Sequence, residues 1–390
     1  MKLLAVGGGS GGHVTPVLAV INELSKLDAK LDVHFVCDSA FESQSRGLMK
    51  HAFVPVRIST IPAGKFRRYH GESLLDKLKD VRTIAYNLRD LALIIGGFTK
   101  SVWMLVTDRP DVVFAKGGYV CLPLGLAATL LRIPIVIHDS DARPGLTNKV
   151  LARYATKIGT GTPTENYDYD QKKTSYVGVP IQEVFRPFSS EEKIAARHEL
   201  GVIDTQAPLV VVTGGGLGSK SINDAMIRSG HMLIEAGVHV YHVTGKKNYD
   251  QVAAKVPDHP HYIAVPFIYK DMHTVLGAAD VVVSRASATF IQELAGLAMP
   301  SIIIPAAQLG DQIKNATIYQ EAKAALVLSD ARIADDTTLG TAILSLVNSP
   351  EARAAMSRHL HAYAKPHAAQ DMAHMIMSTN LSISETRRGV

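Results

Sequence analysis

The sequence predicts an α/β protein of two Rossmann-like domains, each built on a parallel sheet, and three observations carry that prediction. The first is Gly7-Gly8-Gly9-Ser10-Gly11-Gly12-His13, set between the apolar run 3–6 and an amphipathic segment starting near Thr15-Pro16. A short aliphatic run, glycines, then proline at a first helical position spell strand, tight turn, helix. The second is a similar arrangement half a chain away, where the apolar run 209–213 enters Gly214-Gly215-Gly216-Leu217-Gly218-Ser219. The third is the alternation of apolar runs with helical periodicity in both halves, the pattern of parallel sheets covered on both faces. Glycine turns of this kind let the backbone approach an anion, and the following helix offers unpaired N–H groups and the positive end of its dipole. Each turn is a phosphate seat, and two of them imply two domains facing one ligand.

In the first half, strands are expected at 3–6, 31–37, 53–58, 112–115, 133–137 and 176–180, with helical periodicity at 74–93 and 123–131. Pro55 confines the third of these strands to an edge or a strand start. Ligands of parallel sheets gather at the carboxyl ends of the strands. Three segments fall there: 9–13, then Lys116-Gly117-Gly118-Tyr119-Val120, then His138-Asp139-Ser140-Asp141 continuing to 145–149. The crossover is placed around 181–190. Strands then recur at 209–213, 238–244, 262–265, 281–284, 301–304 and 325–328, and Ser349-Pro350-Glu351 opens a final helix that Pro366 interrupts. The expected divisions are 1–182, 183–348 and a terminal helical segment 349–390.

A chain of 390 residues exceeds one ordinary core and suffices for two. Its 47% hydrophobic and 20% charged residues are a globular balance. The formal charge of +5 suits an anionic partner, such as a nucleotide or a phospholipid surface. Cys37 and Cys121 lack CxxC spacing, which argues against a zinc site or a disulfide framework. The apolar start runs straight into glycines and fits no signal peptide. No stretch reaches the ~18 uninterrupted apolar residues of a membrane span. The nearest, 91–106, is broken by Gly96, Gly97 and Lys100 and reads as a buried helix pair. A membrane-surface patch is the alternative, supported by Lys65-Phe66-Arg67-Arg68 upstream.

Several constellations bear on chemistry. Gly7-x-Gly9-x-x-Gly12 with Asp38 after the second strand formally matches a dinucleotide fingerprint, so a nicotinamide-dependent oxidoreductase is a second class of reading, although that acid lies beyond the usual ~20-residue spacing. Asp139-Ser140-Asp141 is a DxD, a pattern that holds a divalent metal in many sugar transferases; Asp168-Tyr169-Asp170 shows the pattern also arises by accident. GGGLGSKS at 214–221 nearly matches a nucleoside-triphosphatase loop, but Ser219 stands where that loop needs glycine. In the segment 284–293, backbone N–H groups at Ala288, Thr289 and Phe290 can hold a phosphate. Glu293, one turn on, can accept from two ribose hydroxyls. The bland alternative there is a capping box of Thr289 with Gln292. His13, one of 16 histidines, is set apart by its position at the first glycine turn, where it can serve as a general base.

Together these pieces resemble the MurG family of peripheral membrane N-acetylglucosaminyltransferases. The resemblance runs through GGSGGHVTP at 8–16, KGGYV at 116–120, HDSDARPGLTNK at 138–149, VGVP at 177–180, GGGLGSKSIN at 214–223, the segment ending at Glu293, and GDQIKNA at 310–316. It implies the GT-B architecture, two Rossmann-like domains whose parallel sheets face each other across a cleft, with the UDP-sugar held mostly by the second. It further implies that Ser10, Gly11, Gly12 and His13 line the cleft, with His13 the base, and that Tyr119 and His138 lie on the acceptor side. Ile268 would meet the uracil, Ala288, Thr289 and Phe290 the phosphates, Glu293 the ribose, and Gln312 the sugar hydroxyls. The implied reaction is inverting transfer from UDP-N-acetylglucosamine to the muramyl 4-hydroxyl of an undecaprenyl-pyrophosphate-linked acceptor. It takes place at the anionic cytoplasmic face of the cell membrane, with no required cofactor, a divalent metal left open, and no nucleic acid. The terminal helix would return to the first domain. The chain departs from the family at three substrate-facing positions: Asp141 replaces Asn, Gln182 replaces Arg, and Gly216 replaces Ser; 267–272 also carries an extra residue. The lost arginine removes a charge-assisted contact to the diphosphate, which Lys220 or Arg285 would replace. Within the same fold, a different lipid acceptor such as a diacylglycerol, or a UDP-sugar binder without turnover, is the remaining alternative.

Overall fold

The computed structural model describes residues 1–8, 11–64, 81–268 and 271–388. It divides into two compact units, Met1–Pro180 joined by the chain from His367 onward, and Ile181–Pro366.

The first unit carries β1 (Lys2–Val6), β2 (Asp32–Cys37), β3 (Val56–Thr60), β4 (Val112–Ala115), β5 (Ile135–Asp139), β6 (Lys157–Thr160) and β7 (Thr174–Tyr176). They form one parallel seven-stranded sheet in the order β3-β2-β1-β4-β5-β6-β7. Side chains alternate along β1: Leu3 and Ala5 join Val33 and Phe35 on one face, while Leu4 and Val6 join Val113 and Ala115 on the other. Both faces are buried, which is why these strands read as continuous apolar runs rather than alternating ones. Met372, Ala373 and Ile376 of the helix Ala368–Arg388 enter the same cluster as Val14, Val17, Leu18 and Ile21 of the helix Gly11–Leu27.

The second unit carries β8 (Leu209–Thr213), β9 (His239–Val243), β10 (Tyr262–Val265), β11 (Val281–Ser284), β12 (Ser301–Ile303) and β13 (Leu326–Val327), parallel in the order β10-β9-β8-β11-β12-β13. Asp280 fixes the entry to this sheet, accepting from Lys193 and Arg197 at 2.6 Å and from the Leu209 N–H at 2.8 Å.

Several expectations need correction. The first helix starts at Gly11, so Pro16 lies inside it rather than at its first position. The strand expected at 53–58 pairs over Val56–Thr60, at the sheet edge where Pro55 had confined it. β6, short and with Gly159 inside it, has no apolar run to announce it. The expected 176–180 strand is only Thr174–Tyr176, because the chain leaves the sheet at Gly178, whose φ is +88°. The expected helix pair in 91–106 is one helix, Val81–Asp108. Gly97 does not break it but lets it close on the Pro62 carbonyl, where a Cβ would collide. Nor is that helix uniformly buried: Leu88, Leu91, Ile95, Trp103 and Val106 are exposed along one stripe. The basic run 65–68 lies outside the described residues. The terminal segment is two helices, and Pro350–His361 stays with the second unit while the chain beyond Pro366 joins the first.

Candidate active site

In each unit the glycine turns emerge at the point where strand order reverses, which is where open parallel sheets bind ligands. In the first unit that point lies between β1 and β4, paired at Val6 and Ala115. The segments after both strands interlock through backbone alone. Gly117 and Gly118 have φ of +115° and +88°, and a Cβ on Gly118 would collide with the Gly8 carbonyl. A Cβ on Gly8 would lie 2.8 Å from both Asp38 Oδ2 and Val120 Cγ1.

His13 is the third residue of its helix. A Cβ on Gly117 would sit 3.6 Å from its Cε1 and 3.7 Å from its Nδ1, so the ring rests on the second turn. The Nδ1 is enclosed and has no hydrogen-bond partner among the described residues. Burial, and then the positive charge of Lys116, pull the imidazole down to about 3. The helix N-terminus works in the same direction. The ring is therefore neutral, with a lone pair on one nitrogen. Gly11 and Gly12 form the first turn of this helix; Ser10 lies outside the described residues.

Behind His13 is a buried polar layer. Lys116 Nζ donates to Ser140 Oγ at 2.5 Å, and Ser140 Oγ lies 3.4 Å from His138 Nδ1. His138 Nε2 donates to the Gly178 carbonyl at 2.8 Å, which fixes the tautomer. His138 has no accessible surface and braces the loop after β5. Asn148 joins this layer by donating to the His138 carbonyl at 3.2 Å. Asp139 accepts from the Tyr169 hydroxyl at 2.8 Å, and burial beside Asp141 pushes its carboxyl up to about 7. The half-buried Asp141 gives its backbone carbonyl to the Tyr167 hydroxyl at 2.8 Å. The DxD therefore has a structural role in its first carboxylate, and no group of three metal-ligating side chains occurs among the described residues.

Tyr119 is half-buried, and its hydroxyl is pushed up to about 12 by burial and by its hydrogen bond to Asp38. Asp38 also accepts from the Ala40 N–H at 3.0 Å and is 4% exposed. A carboxylate so engaged does not offer itself to a ribose, which removes the support for the dinucleotide reading.

In the second unit the reversal lies between β8 and β11, paired at Val212 and Val283. The turn after β8 uses Gly215 and Gly218 at φ of +81° and +75° and leaves Gly216 exposed. Ser219 caps the next helix, accepting from the Ile222 N–H at 3.4 Å. Arg285, just after β11, clasps this turn. Its Nη2 donates to Ser219 Oγ and Ser221 Oγ, each at 2.7 Å, and its Nη1 to Asp330 Oδ1 at 2.8 Å. Arg285 is thus engaged with the turn, and exposed Lys220 pairs with Asp224 at 2.6 Å.

The helix Ala288–Gly296 begins without a side-chain cap. Its N-cap position is Ser287, so Thr289 is its second residue and not the cap of a box with Gln292, whose Nε2 donates to the Tyr363 carbonyl at 3.1 Å. The first-turn N–H groups at Ala288, Thr289 and Phe290 have no intrahelical partners. Glu293, one turn on, is buried, and burial pushes its carboxyl up to about 8. Ile268 and Phe290 pack half-buried on the adjoining core. Gln312 Oε1 accepts from the Ala306 N–H at 3.1 Å, while Gln182 gives its backbone carbonyl to Phe185. Asp330 and Gly245 belong to this site and escaped the sequence reading. Gly245 follows a strand and was open to the same glycine argument; Asp330 is 45 residues from its arginine, with no local signal.

Two Rossmann-like units, each with glycine turns at its switch point and one with an uncapped helix above a buried carboxyl, define a protein of the GT-B fold class. Residues 3–160 match the glycosyltransferase family 28 N-terminal domain and residues 209–374 its C-terminal domain. A UDP-N-acetylglucosamine--N-acetylmuramyl-(pentapeptide) pyrophosphoryl-undecaprenol N-acetylglucosamine transferase from Clostridium botulinum (strain Loch Maree / Type A3) is 30% identical over 87% of this chain and 89% of its own. The enzyme of the same name from Shouchella clausii is 32% identical over 86% and 88%. Among solved structures, Acinetobacter baumannii MurG aligns with a TM-score of 0.66 at 21% identity over 97% of this chain and 99% of that one. A Neisseria meningitidis UDP-GlcNAc 2-epimerase reaches 0.70 at 11% identity over 97% and 100%, so the fold alone does not select the reaction. Sequence does: the chain belongs to glycosyltransferase family 28, in its MurG group.

Proposed function

We infer that the protein transfers N-acetylglucosamine from UDP-N-acetylglucosamine to the muramyl sugar of an undecaprenyl-pyrophosphate-linked peptidoglycan precursor. The observation that carries the reading is the uncapped helix Ala288–Gly296 with Glu293 one turn inside it, beside the glycine turn after β8. An N-terminus meets a diphosphate, and a carboxyl at that depth meets two ribose hydroxyls.

In this reading the second unit holds the donor, with uracil against Ile268 and sugar hydroxyls at Gln312. His13 of the first unit, kept neutral by its surroundings, takes the proton from the acceptor 4-hydroxyl. That oxygen attacks the anomeric carbon with inversion, and UDP leaves with its developing charge met by helix N–H groups. No cofactor is required; titrating a divalent cation into the assay tests whether one assists. The acceptor is a lipid, and the exposed stripe Leu88, Leu91, Ile95, Trp103 and Val106 suits a peripheral seat on the anionic cytoplasmic membrane face. Nucleic acid has no part in it.

Assays of His13→Ala and Glu293→Ala with a lipid-linked muramyl acceptor test the assignments. His13→Ala should lose turnover by at least a hundredfold while still binding UDP, and Glu293→Ala should weaken UDP binding. Near-normal kinetics in both variants would refute the site.

A further inference from the structure

We propose that Tyr262, His242 and Asn223 are positioning residues for the transfer reaction, a buried hydrogen-bonded relay that fixes the glycine turn after β8 against which the donor diphosphate lies. The inference rests on the second unit holding the donor.

The Tyr262 hydroxyl on β10 lies 2.9 Å from His242 Nδ1 on β9, and His242 Nε2 lies 3.0 Å from Asn223 Oδ1 near the start of the helix Lys220–Glu235. Asn223 Nδ2 donates to the Thr244 carbonyl at 2.9 Å, and Asn248 Nδ2 donates to the same oxygen at 3.2 Å. The last link sets the direction of every proton before it. A carbonyl only accepts, so Asn223 turns its amide nitrogen toward Thr244 and its oxygen toward His242. That oxygen accepts from His242 Nε2–H, which leaves Nδ1 bare to accept from the tyrosine hydroxyl. Burial keeps the imidazole neutral, pulling it down to about 3, as this arrangement requires. Tyr262, His242, Asn223 and Thr244 are all buried, and an enclosed polar chain whose members are all partnered holds a single geometry. Its end touches the glycine turn. A Cβ on Gly218 would collide with the Thr244 carbonyl oxygen and lie 2.8 Å from Asn248 Nδ2, so the turn closes on the very oxygen that the two asparagines hold. Asn223 also grips the turn from its other side, its backbone N–H donating at 2.9 Å to the carbonyl of Ser219, the residue after Gly218. For the core alone, apolar side chains of like shape would serve as well; the relay adds a fixed path from the sheet to the turn.

The test is calorimetry of UDP binding to the full-length chain, alongside steady-state kinetics at varied UDP-N-acetylglucosamine. Asn223→Ala and His242→Leu should each raise the Kd for UDP and the donor KM by about tenfold or more, with kcat at saturating donor within about threefold of the parent. His242→Gln, whose amide nitrogen stands in for Nε2–H toward Asn223, should keep UDP affinity within about threefold. Leu346→Ala supplies the purely structural comparison: it lies in the same core cluster as Tyr262, on the helix Thr338–Val347, and should lower the melting temperature without moving either constant. Unchanged UDP affinity in a folded Asn223→Ala or His242→Leu overturns the proposal. So does an affinity loss in Leu346→Ala equal to theirs, or a His242→Gln as weak as His242→Leu. Should neither Asn223→Ala nor His242→Leu fold, Tyr262→Phe, which removes a single oxygen, decides: a donor KM raised about threefold supports the relay, and an unmoved one overturns it. An unaltered protein that binds no UDP would instead overturn the donor reading, and the proposal with it, before any substitution is made.

Discussion

Gly218 and Gly245 meet across the turns after β8 and β9 so closely that neither position has room for a side chain. A Cβ on Gly245 would lie 2.7 Å from Gly218 Cα, and both residues hold positive φ. Gly237 offers a control, with φ of +76° and no heavy atom within 4 Å of its missing Cβ. Gly237→Ala should cost about 1 kcal/mol, the left-handed penalty alone. Gly245→Ala adds backbone collision and should cost ~2–4 kcal/mol, and it should weaken UDP binding because it displaces the turn. Urea unfolding and calorimetry read the two effects, and equal costs for both alanines would contradict the close approach.

Glu293 makes a pH prediction with a definite sign. Its folded carboxyl is pushed from 4.5 up to about 8, so between those values the folded protein holds a proton that the unfolded chain has released. Stability contributed by this residue therefore falls as pH rises from 4.5 to 8. Glu293→Gln should match the parent near pH 4.5 and exceed it at pH 8 by roughly 1–3 kcal/mol, while binding UDP less well. Unfolding measured at both pH values checks this, and an advantage confined to acid pH would reverse the argument.

These two cases also show what was readable in the sequence. Both glycine turns and the helix start after β11 are legible because a strand, a turn and a helix start each have a local spelling. Gly245 shares that spelling and was overlooked. Asp330, Tyr169 and the final packing of Met372 were not legible, because each acts on a partner 30 or more residues away and no spacing rule reports that. The helix Val81–Asp108 was misread for a physical reason: glycine in a helix marks either a break or a close approach, and only the Pro62 carbonyl beside Gly97 tells which.

The Arg285 clasp predicts coupling. Arg285 Nη1 pairs with Asp330 at 2.8 Å, and Ser221 Oγ donates to the same carboxylate oxygen at 2.7 Å. Removing either charge leaves the other partly buried and unmatched. Arg285→Ala and Asp330→Ala should each cost about 2–3 kcal/mol, and the double variant should cost at least 1 kcal/mol less than their sum. The KM for the donor should rise in all three. Strict additivity in a double-mutant cycle would show that the pair does not act as a unit.

The exposed stripe on Val81–Asp108 follows helical spacing from Leu88 through Leu91, Ile95 and Trp103 to Val106, with Trp103 67% exposed. Exposed aliphatic and aromatic groups gain about 1.5–3 kcal/mol each on full burial. The protein should therefore sediment with vesicles containing anionic phospholipid. Ile95→Glu/Trp103→Glu should lower that partitioning at least tenfold while leaving turnover on a detergent-dispersed acceptor near normal. Equal losses in both measurements would mean that the stripe serves the fold or the reaction, not the membrane.

The helix Ala368–Arg388 belongs to the first unit's core although more than 180 residues separate it from β7. Met372 and Ile376 have no accessible surface, and Gly159 in β6 leaves the space that the Met372 sulfur fills. Its partners include Val14, Val17 and Val177, which would face water without it. Met372→Ala should cost ~2–5 kcal/mol, the transfer and cavity terms together. Gly159→Ala should also destabilise, by overpacking the same space, and the two combined should cost less than their sum because the methyl enters the cavity. A chain ending at Pro366 should lose the cooperative unfolding of the first unit and aggregate through the uncovered face. If that shortened chain unfolds with the midpoint of the intact protein, the terminal helix is an appendage and not a part of the core.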